Sequence, residues 1–238
     1  MDKDILIKVV SVTKKFPVGD TDFTALSEIN LSLQKGEFAG LVGPSGSGKT
    51  TLLNLIGALD GPTEGEVWIN DAKVEAKSDE QTAELRNENI GFIFQSYNLL
   101  PIYTIYENVE FPLLLQHIPA ANRKQMVMEA LEWVGLADKA HKKPSQISGG
   151  EAQRVAIARS IVKKPTIVLA DEPTANLDSK NAYKIMDILK VLNEQLGITF
   201  LFSSHDNKVI QYLTRIIHLE DGKIIKDETP IQNEKATV

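Results

Sequence analysis

Gly43-Pro44-Ser45-Gly46-Ser47-Gly48-Lys49-Thr50 fits the pattern G-x-x-x-x-G-K-[ST]. Its residue types are those a phosphate cradle needs. Glycines let the backbone wrap closely, so that successive N–H groups point inward at anionic oxygens. A helix that starts at the end of the loop adds the positive end of its dipole. Lys49 can reach the β- and γ-phosphates of a nucleotide, and the Thr50 hydroxyl can serve Mg²⁺. The plain alternative is a Gly-Ser turn that caps a helix. The context favours the cradle: EFAGLVG at 37–43 reads as a buried strand, and KTTLLNLIGALDGP at 49–62 reads as a helix with Gly61 and Pro62 as its stop.

A second chemical feature is the acid pair Asp171-Glu172, which closes the apolar run TIVLAD at 166–171. Asp171 at a strand end, on the same sheet edge as the loop at 43–50, can hold Mg²⁺ through water. Glu172 beside it can polarise an attacking water. Standing alone, the pair would read as strand-end salt-bridge partners. Next to a phosphate loop it favours hydrolysis over transfer to another acceptor, because a carboxylate base suits water as nucleophile. The chain contains no [NT]-K-x-D guanine-reading motif, which weakly favours ATP over GTP.

A third feature is Ser148-Gly149-Gly150-Glu151 before the helix AQRVAIARSIVKK. Ser followed three residues later by Glu makes a capping box, adequate by itself for a helix start. Two glycines inside it strip side chains from a positive helix end and leave its backbone donors open. That is also how a second phosphate site would look, and the two readings are compatible. A full phosphate loop and an orphan phosphate-facing helix end in one chain suggest a shared site, with the end of one copy closing on the nucleotide of another.

The elements that must position these residues follow from periodicity and punctuation. Residues 5–33 alternate in apolar bursts around Gly19-Asp20 and read as antiparallel strands. Further strands are expected at 66–70, 90–95 and 198–204, with helices over 79–88, 120–136 and 151–164. Over 179–196, Ala182, Ile185, Met186, Leu189, Leu192 and Leu196 form one helical stripe that Gly197 ends. Asp221-Gly222 between Arg215–Leu219 and Lys223–Lys226 is a hairpin signal. Strands alternating with helices imply parallel βαβ units, with the antiparallel pieces at the edge of that sheet. The fold class expected is α/β: a phosphate-loop core with a mainly parallel sheet, an antiparallel β subdomain and an inserted helical subdomain. The division expected is one domain over 1–230, in which 1–95 and 161–230 form the core and 96–160 the helical part, followed by a polar tail at 231–238.

Composition sets the outer limits. At 238 residues with 42% apolar positions, the chain can bury a sizeable core. Its 26 basic against 32 acidic residues leave a net charge of −6, which argues against a general nucleic-acid coat or a polybasic membrane binder. With no cysteine, disulfides, thiolate metal sites and cysteine nucleophiles are excluded. No stretch approaches the roughly 18 apolar residues that span a bilayer, and MDKDILIKVV lacks the pattern of a signal peptide.

Together these residues resemble the nucleotide-binding subunit of ABC transporters over about residues 5–226. Gly43–Thr50 matches the Walker A motif and IVLADE at 167–172 matches Walker B. Ile147-Ser148-Gly149-Gly150-Glu151 looks like the family signature LSGGQ, with Ile147 and Glu151 departing mildly from it. Gln95 looks like the Q-loop glutamine, Asp178 falls in the D-loop and His205 stands where the switch histidine lies. Phe16 replaces the usual tyrosine that stacks on adenine and keeps the ring face.

The resemblance implies two copies sandwiching two ATP molecules head to tail. Gly43, Ser45, Gly46, Ser47, Gly48, Lys49, Thr50 and Thr51 would hold the phosphates, and Thr50, Gln95 and Asp171 would serve Mg²⁺. Glu172 would be the general base, with His205 on the γ-phosphate and Lys49 on the developing charge. Ser148, Gly149, Gly150 and Glu151 would face the partner copy's ATP.

Residues 97–115, YNLLPIYTIYENVEFPLLL, hold three of the five tyrosines, directly after Gln95. Pro101 and Pro112 are expected to break long helix there and keep some rings near the surface, as a groove for a cytoplasmic helix of a permease. The chain looks most like the subgroup serving macrolide exporters, lipoprotein-releasing complexes and peptide-antibiotic exporters. That implies a cytoplasmic subunit, peripheral on the inner face of the cell membrane, with no nucleic-acid partner. The rival readings are a cell-division or signalling ATPase of the same subgroup, a soluble nucleic-acid-associated ATPase, and a small-molecule kinase. The kinase leaves Ser148-Gly149-Gly150 without a purpose.

Overall fold

Short runs of Val, Ile, Leu and Phe bounded by Gly, Pro or Asp become strands, because branched and aromatic side chains fit a pleated surface buried on both faces. Longer stretches with a 3.6-residue apolar period become helices. The computed structural model describes residues 4–74 and 77–230, so the tail expected at 231–238 lies outside the described residues. In chain order the elements are β1 (Ile5–Val18), β2 (Thr21–Gln34), β3 (Phe38–Val42), α1 (Lys49–Ile56), β4 (Glu64–Ile69), β5 (Ala72–Lys73), α2 (Asp79–Asn89) and β6 (Ile90–Ile93). Then follow α3 (Ile105–Leu115), α4 (Ala120–Trp133), α5 (Gly149–Ile161), β7 (Ile167–Asp171), α6 (Ser179–Leu196), β8 (Thr199–Ser204), α7 (Asn207–Ile210), β9 (Arg215–Glu220) and β10 (Lys223–Glu228).

The strands form two sheets. A six-stranded sheet has the order β10-β9-β3-β8-β7-β6, parallel throughout except that β10 runs antiparallel to β9. A four-stranded antiparallel sheet has the order β2-β1-β4-β5. The C-terminal hairpin therefore does edge the main sheet, as its turn signal implies. The N-terminal hairpin does not: β1 and β2 build a sheet of their own with β4. The reason is length. Each of these two strands has 14 residues, and their alternate apolar side chains cover one face of α1 rather than extend a row of five-residue strands.

The pleat of the main sheet divides the interior into two cores. Phe38, Val168, Ala170, Phe200 and Phe202 face one side, where they meet α3, α4, α5 and α6. Ala39, Leu41, Ile167, Leu169 and Leu201 face the other, packed with α1 and the antiparallel sheet. Successive side chains on a strand point to opposite faces, so near-continuous apolar runs are what such a two-sided sheet needs. Helix α6 keeps the expected bounds, with Ala182, Ile185, Met186, Leu189 and Leu192 buried and Gly197 ending it in the left-handed conformation. Burying each of its larger side chains contributes about 1.5–3 kcal/mol.

Two helix expectations are corrected. Helix α1 stops at Ile56 rather than running to Pro62: Gly57 caps it, and Ala58 turns with φ 52°. Gly57 packs where a Cβ would sit 2.7 Å from the Phe92 ring, so the close approach to β6 requires glycine at this cap. Pro112 does not end α3 but lies inside it, three residues before Leu115. The missing N–H of Pro112 falls opposite the Asn108 carbonyl, so a single bond is lost and the last turn continues.

Asn108 is fully buried and ties α3 to the loop before it. Its Oδ1 accepts from Leu100 N–H at 2.7 Å, and its amide donates to the carbonyls of Leu100 and Thr104 at 3.1 and 2.9 Å. Removing a side chain that satisfies several buried backbone groups leaves each of them unpaired. Asn108→Ala should therefore lower stability by about 2–3 kcal/mol in urea unfolding. A loss below about 0.5 kcal/mol would mean that another contact holds the loop at 99–104.

Candidate functional site

The loop between β3 and α1 is closed by its own backbone. Gly46 and Gly48 take φ of 81° and 102°, and Gly48 is the N-cap of α1 with no side-chain cap. A Cβ at Gly48 would lie 2.7 Å from Leu26 Cδ2 and 2.8 Å from the Ala25 carbonyl, so both space and φ require glycine. Ser47 is buried, and its backbone accepts from Gly222 N–H at 3.1 Å, which pins the loop to the β9–β10 turn. Lys49 is also buried, and its Nζ donates to the carbonyls of Gly43 and Pro44, both at 2.8 Å. The ammonium is thus held over the loop. The first N–H groups of α1 have no intrahelical partner and carry the positive end of the dipole.

Beside this loop the parallel register places the acids. Asp171 at the end of β7 pairs with Ser203 of β8, which in turn pairs with Leu41 of β3. Thr50 Oγ1 meets both oxygens of Asp171, at 3.2 and 3.1 Å. Glu172 has φ 45°, a left-handed conformation costly for a residue with a Cβ. Its N–H donates to the Ser203 carbonyl at 2.9 Å, and its own carbonyl accepts from Ala175 N–H at 3.2 Å. The turn so fixed aims the carboxylate at β8: Ser204 Oγ donates to Oε2 at 3.1 Å, and His205 Nδ1 lies 2.6 Å from Oε1. With Glu172 ionised that contact needs the proton on Nδ1, which leaves Nε2 to meet another group.

These parts line one cleft of about 540 Å³. Among the sequence-expected residues it gathers Phe16, Ser45, Gly46, Gly48, Lys49, Thr50, Thr51, Gln95, Asp171, Glu172 and His205. Gly43 and Ser47 lie behind the lining, where Gly43 has no room for a Cβ against the Leu219 carbonyl. A hard cation suits the donor set. Among the described residues no group of three His, Asp or Glu side chains could hold a metal on its own. A hydroxyl, an amide oxygen and one carboxylate are the protein share that Mg²⁺ takes when phosphates supply other ligands.

Ser148, Gly149, Gly150, Glu151 and Asp178 are not in that cleft's lining. Ser148 caps α5 with a complete capping box, Ser148 Oγ accepting from Glu151 N–H at 3.3 Å and Glu151 Oε2 accepting from Ser148 N–H at 2.9 Å. Lys139 bonds Glu151 as well, and that bond with the Ser148 N–H holds the carboxyl down at about 2. Asp178 caps α6 by accepting from Asn181 N–H at 2.9 Å, which holds its carboxyl below the usual range. Gly150 packs where a Cβ would meet Asn181 at 2.9 Å.

The cleft also contains residues that the motifs do not mark: Phe23, Ala25, Ala175 and Ser203. Phe23 was legible. A two-residue turn at Gly19-Asp20 pairs Val18 with Thr21, which sets Phe16 opposite Phe23. Ser203, buried with its hydroxyl unpartnered among the described residues, carried no signal in a run that reads simply as apolar strand.

A second hollow of about 380 Å³ lies between α3, the end of α5 and β6, lined by Phe92, Phe94, Leu100, Phe111, Arg159 and Lys163 among others. Arg159 donates to the carbonyls of Tyr97 and Asn98 at 2.7 and 2.6 Å. Both of those residues are left-handed, with φ of 59° and 49°. Lys163 Nζ donates to the Arg86 carbonyl at 3.0 Å, and burial pulls its ammonium down to about 8.

A sequence profile for the family described as ABC transporter matches residues 26–175. An ABC transporter ATP-binding protein of Methanocaldococcus jannaschii, MJ0796, is 45% identical over 227 residues, 94% of this chain and 97% of that one. Its dimeric structure, in a post-hydrolysis state bound to ADP and Pi, superposes with a TM-score of 0.87 over 94% of this chain and 98% of that chain. The lipoprotein-releasing system ATP-binding protein LolD of Pseudoalteromonas translucida is 43% identical over 95% of this chain and 97% of its own length. The macrolide export ATP-binding/permease protein MacB of Vibrio parahaemolyticus is 43% identical over 98% of this chain, which spans only 36% of that longer protein.

The glycine at the N-cap of α1 gives a direct test of the loop geometry. Gly48→Ala should cost about 2–4 kcal/mol, from left-handed strain and overpacking against Ala25 and Leu26. Urea unfolding measures it. A neutral substitution would show that the loop accepts another backbone path.

Proposed function

The chain belongs to the ABC transporter family, and we propose that it is the ATP-hydrolysing subunit of a membrane permease of the macrolide-export or lipoprotein-release type. The observation that carries this reading is the single cleft that gathers Lys49, Thr50, Asp171, Glu172 and His205 while the Ser148 end of α5 stands outside it. A site with a phosphate loop, a base and a detached anion-facing helix end needs a second copy to be complete. The relative's dimer bound to ADP and Pi supports that arrangement.

In the proposed cycle the backbone of 45–51 and the Lys49 ammonium hold the phosphates, and the Phe16 ring stacks on the adenine. Thr50, Gln95 and Asp171 would hold Mg²⁺, which when bound offsets charge on the phosphate oxygens. Glu172 accepts the proton of the attacking water. The strained turn and the Ser204 hydroxyl fix where its carboxylate points. His205, held through Nδ1 by Glu172, would donate from Nε2 to the γ-phosphate as the doubly protonated ring, since both its partners are acceptors. Ser148 and Gly150 of the opposite copy close over the same phosphate. Asp178 caps α6 and bonds Asn181, whose side chain packs against Gly150, so it would help set where that helix end stands.

The core over 1–95 and 161–230 and the helical part over 96–160 act as two bodies within one domain. Movement between them passes to the permease through 97–115. The names of LolD and MacB relatives support that partner class. Among the described residues no helix is long and apolar enough to cross a membrane, which fits a cytoplasmic subunit bound peripherally at the inner face.

Glu172→Gln should bind ATP with unchanged affinity, hydrolyse it about a hundredfold or more slowly, and run as a dimer with ATP in gel filtration. Wild-type turnover would remove Glu172 as the base. Lys49→Ala should weaken ATP binding about ten- to a hundredfold in equilibrium titration, the worth of a charged hydrogen bond to phosphate; normal affinity would contradict the phosphate-loop assignment.

A further inference from the structure

The exposed apolar side chains around the second hollow are continuous with it. Ile102 is 72% exposed and Leu115 56%, and Leu100, Tyr103, Phe111 and Leu114 are exposed beside them. Concentrated apolar exposure of this kind marks a surface that binds another macromolecule. The walls of the hollow, Phe92, Phe94, Leu100, Phe111 and Pro112, suit the apolar face of a helix.

The floor is not apolar. Arg159 and Lys163 both open into it from the C-terminal end of α5 and the residues just past it. Burial lowers both, and no acid contributes to either shift. Among the described residues neither cation has a carboxylate partner: Arg159 bonds two carbonyls and Lys163 one. By contrast, Arg123 on the same helical arm pairs with Glu110 at 2.8 Å, and Arg215 pairs with both Glu37 and Asp227. In a chain with net charge −6, these two half-buried cations open side by side into one apolar-walled hollow and are left to carbonyls alone, unlike Arg123 and Arg215. A partly desolvated ammonium gains most from a charge-assisted hydrogen bond.

We propose that this hollow selects its permease helix by a carboxylate: an amphipathic helix whose aromatic or aliphatic face fills the walls and whose Asp or Glu at the edge of that face bonds Lys163, with Arg159 adding to the field. The proposal rests on the reading of 97–115 as the docking surface and adds the chemistry that decides which helix docks. Lys163 is the specificity determinant. Arg159 has both terminal nitrogens of its planar fork fixed on the Tyr97 and Asn98 carbonyls, whereas Lys163 is held by one bond and can turn its two remaining donors to a docked group.

The test uses the full chain and two synthetic 18-residue helical peptides with the same Leu/Phe face, one with a single Glu at its edge and one with Gln in that place. Fluorescence anisotropy should show the Glu peptide binding wild type about tenfold more tightly than the Gln peptide. Lys163→Met should abolish the preference and Lys163→Arg should keep it. Phe111→Ser should weaken both peptides alike while the ratio remains. Circular dichroism melts verify that each variant is folded. Equal binding of both peptides by wild type, with both weakened by Phe111→Ser, would overturn the carboxylate selection and leave the docking surface standing. Failure of both peptides to bind, or binding indifferent to Phe111→Ser, would overturn the docking surface and the selection with it.

Discussion

The register among β3, β8 and β7 is the constraint on which the rest depends. Leu41 pairs with Ser203, and Ser203 pairs with Asp171, so three parallel strands end at one level. Parallel strands release their C-terminal loops on the same sheet edge. The phosphate loop follows β3, Asp171-Glu172 closes β7 and His205 follows β8. No side chain has to reach far: the backbone ladder delivers Lys49, Asp171, Glu172 and His205 to one cleft before any polar contact forms. A slip of one residue in β7 would reverse its faces, sending Leu169 toward the helical side and Asp171 away from Thr50. The two cores guard against that, since each face of the sheet is filled by side chains of the other parity.

The electrostatics are arranged locally in a chain that is acidic as a whole. Lys49 bonds two backbone carbonyls and no acid, so no carboxylate competes for its ammonium. Asp171 and Glu172 sit side by side without a lysine between them, and hydroxyls and an imidazole satisfy them instead. At the signature the opposite holds. Glu151 is a carboxylate at a helix end that would face another copy's phosphates, and Lys139 bonds it directly while Arg154 stands 4.0 Å away. That pairing lets the fifth signature position carry an acid without presenting bare negative charge.

Much of the site was legible because its motifs carry their own mechanism. A glycine-rich loop between strand and helix, and an acid at a strand end, each fix chemistry and position together. The fold was legible where one period dominates: α6 keeps the bounds its stripe and Gly197 define. Legibility failed where tertiary space decides. Two glycines, Gly57 and Gly61, offer a stop for α1, and only the packing, with the Phe92 ring against Gly57, shows which one is used. Nothing local lets Pro112 sit inside a helix; one turn earlier the buried Asn108 side chain ties α3 to Leu100 and Thr104, so the helix is anchored by contacts outside its own ladder. The glycine pair at 149–150 could be read as a cap or as a phosphate-facing end. The packing adds a third cause, because Asn181 occupies the space a Cβ at Gly150 would need and Tyr97 Oη lies 3.3 Å from that of Gly149.

Helix α5 joins the two ends of this arrangement. Its first turn carries the signature and its last turn carries Arg159, about 15 Å away at 1.5 Å per residue. Ten of its residues are buried, among them Val155, Ile157 and Ala158 in the core shared with α3 and α4. Arg159 grips Tyr97 and Asn98, two consecutive left-handed residues whose conformation costs energy and is held by that fork together with the Tyr97 N–H bond to the Phe94 carbonyl. Tyr97 lies against Gly149 at the other end of the same helix, and Asn176 bonds the Gln95 carbonyl just upstream at 2.9 Å. The segment between Gln95 and Leu100 is therefore held at three points: by the turn after β7, by the start of α5 and by its end. The short span from Gln95 to Leu100 thus ties the apolar surface at 100–115 by direct contacts to the turn after β7 and to both ends of α5.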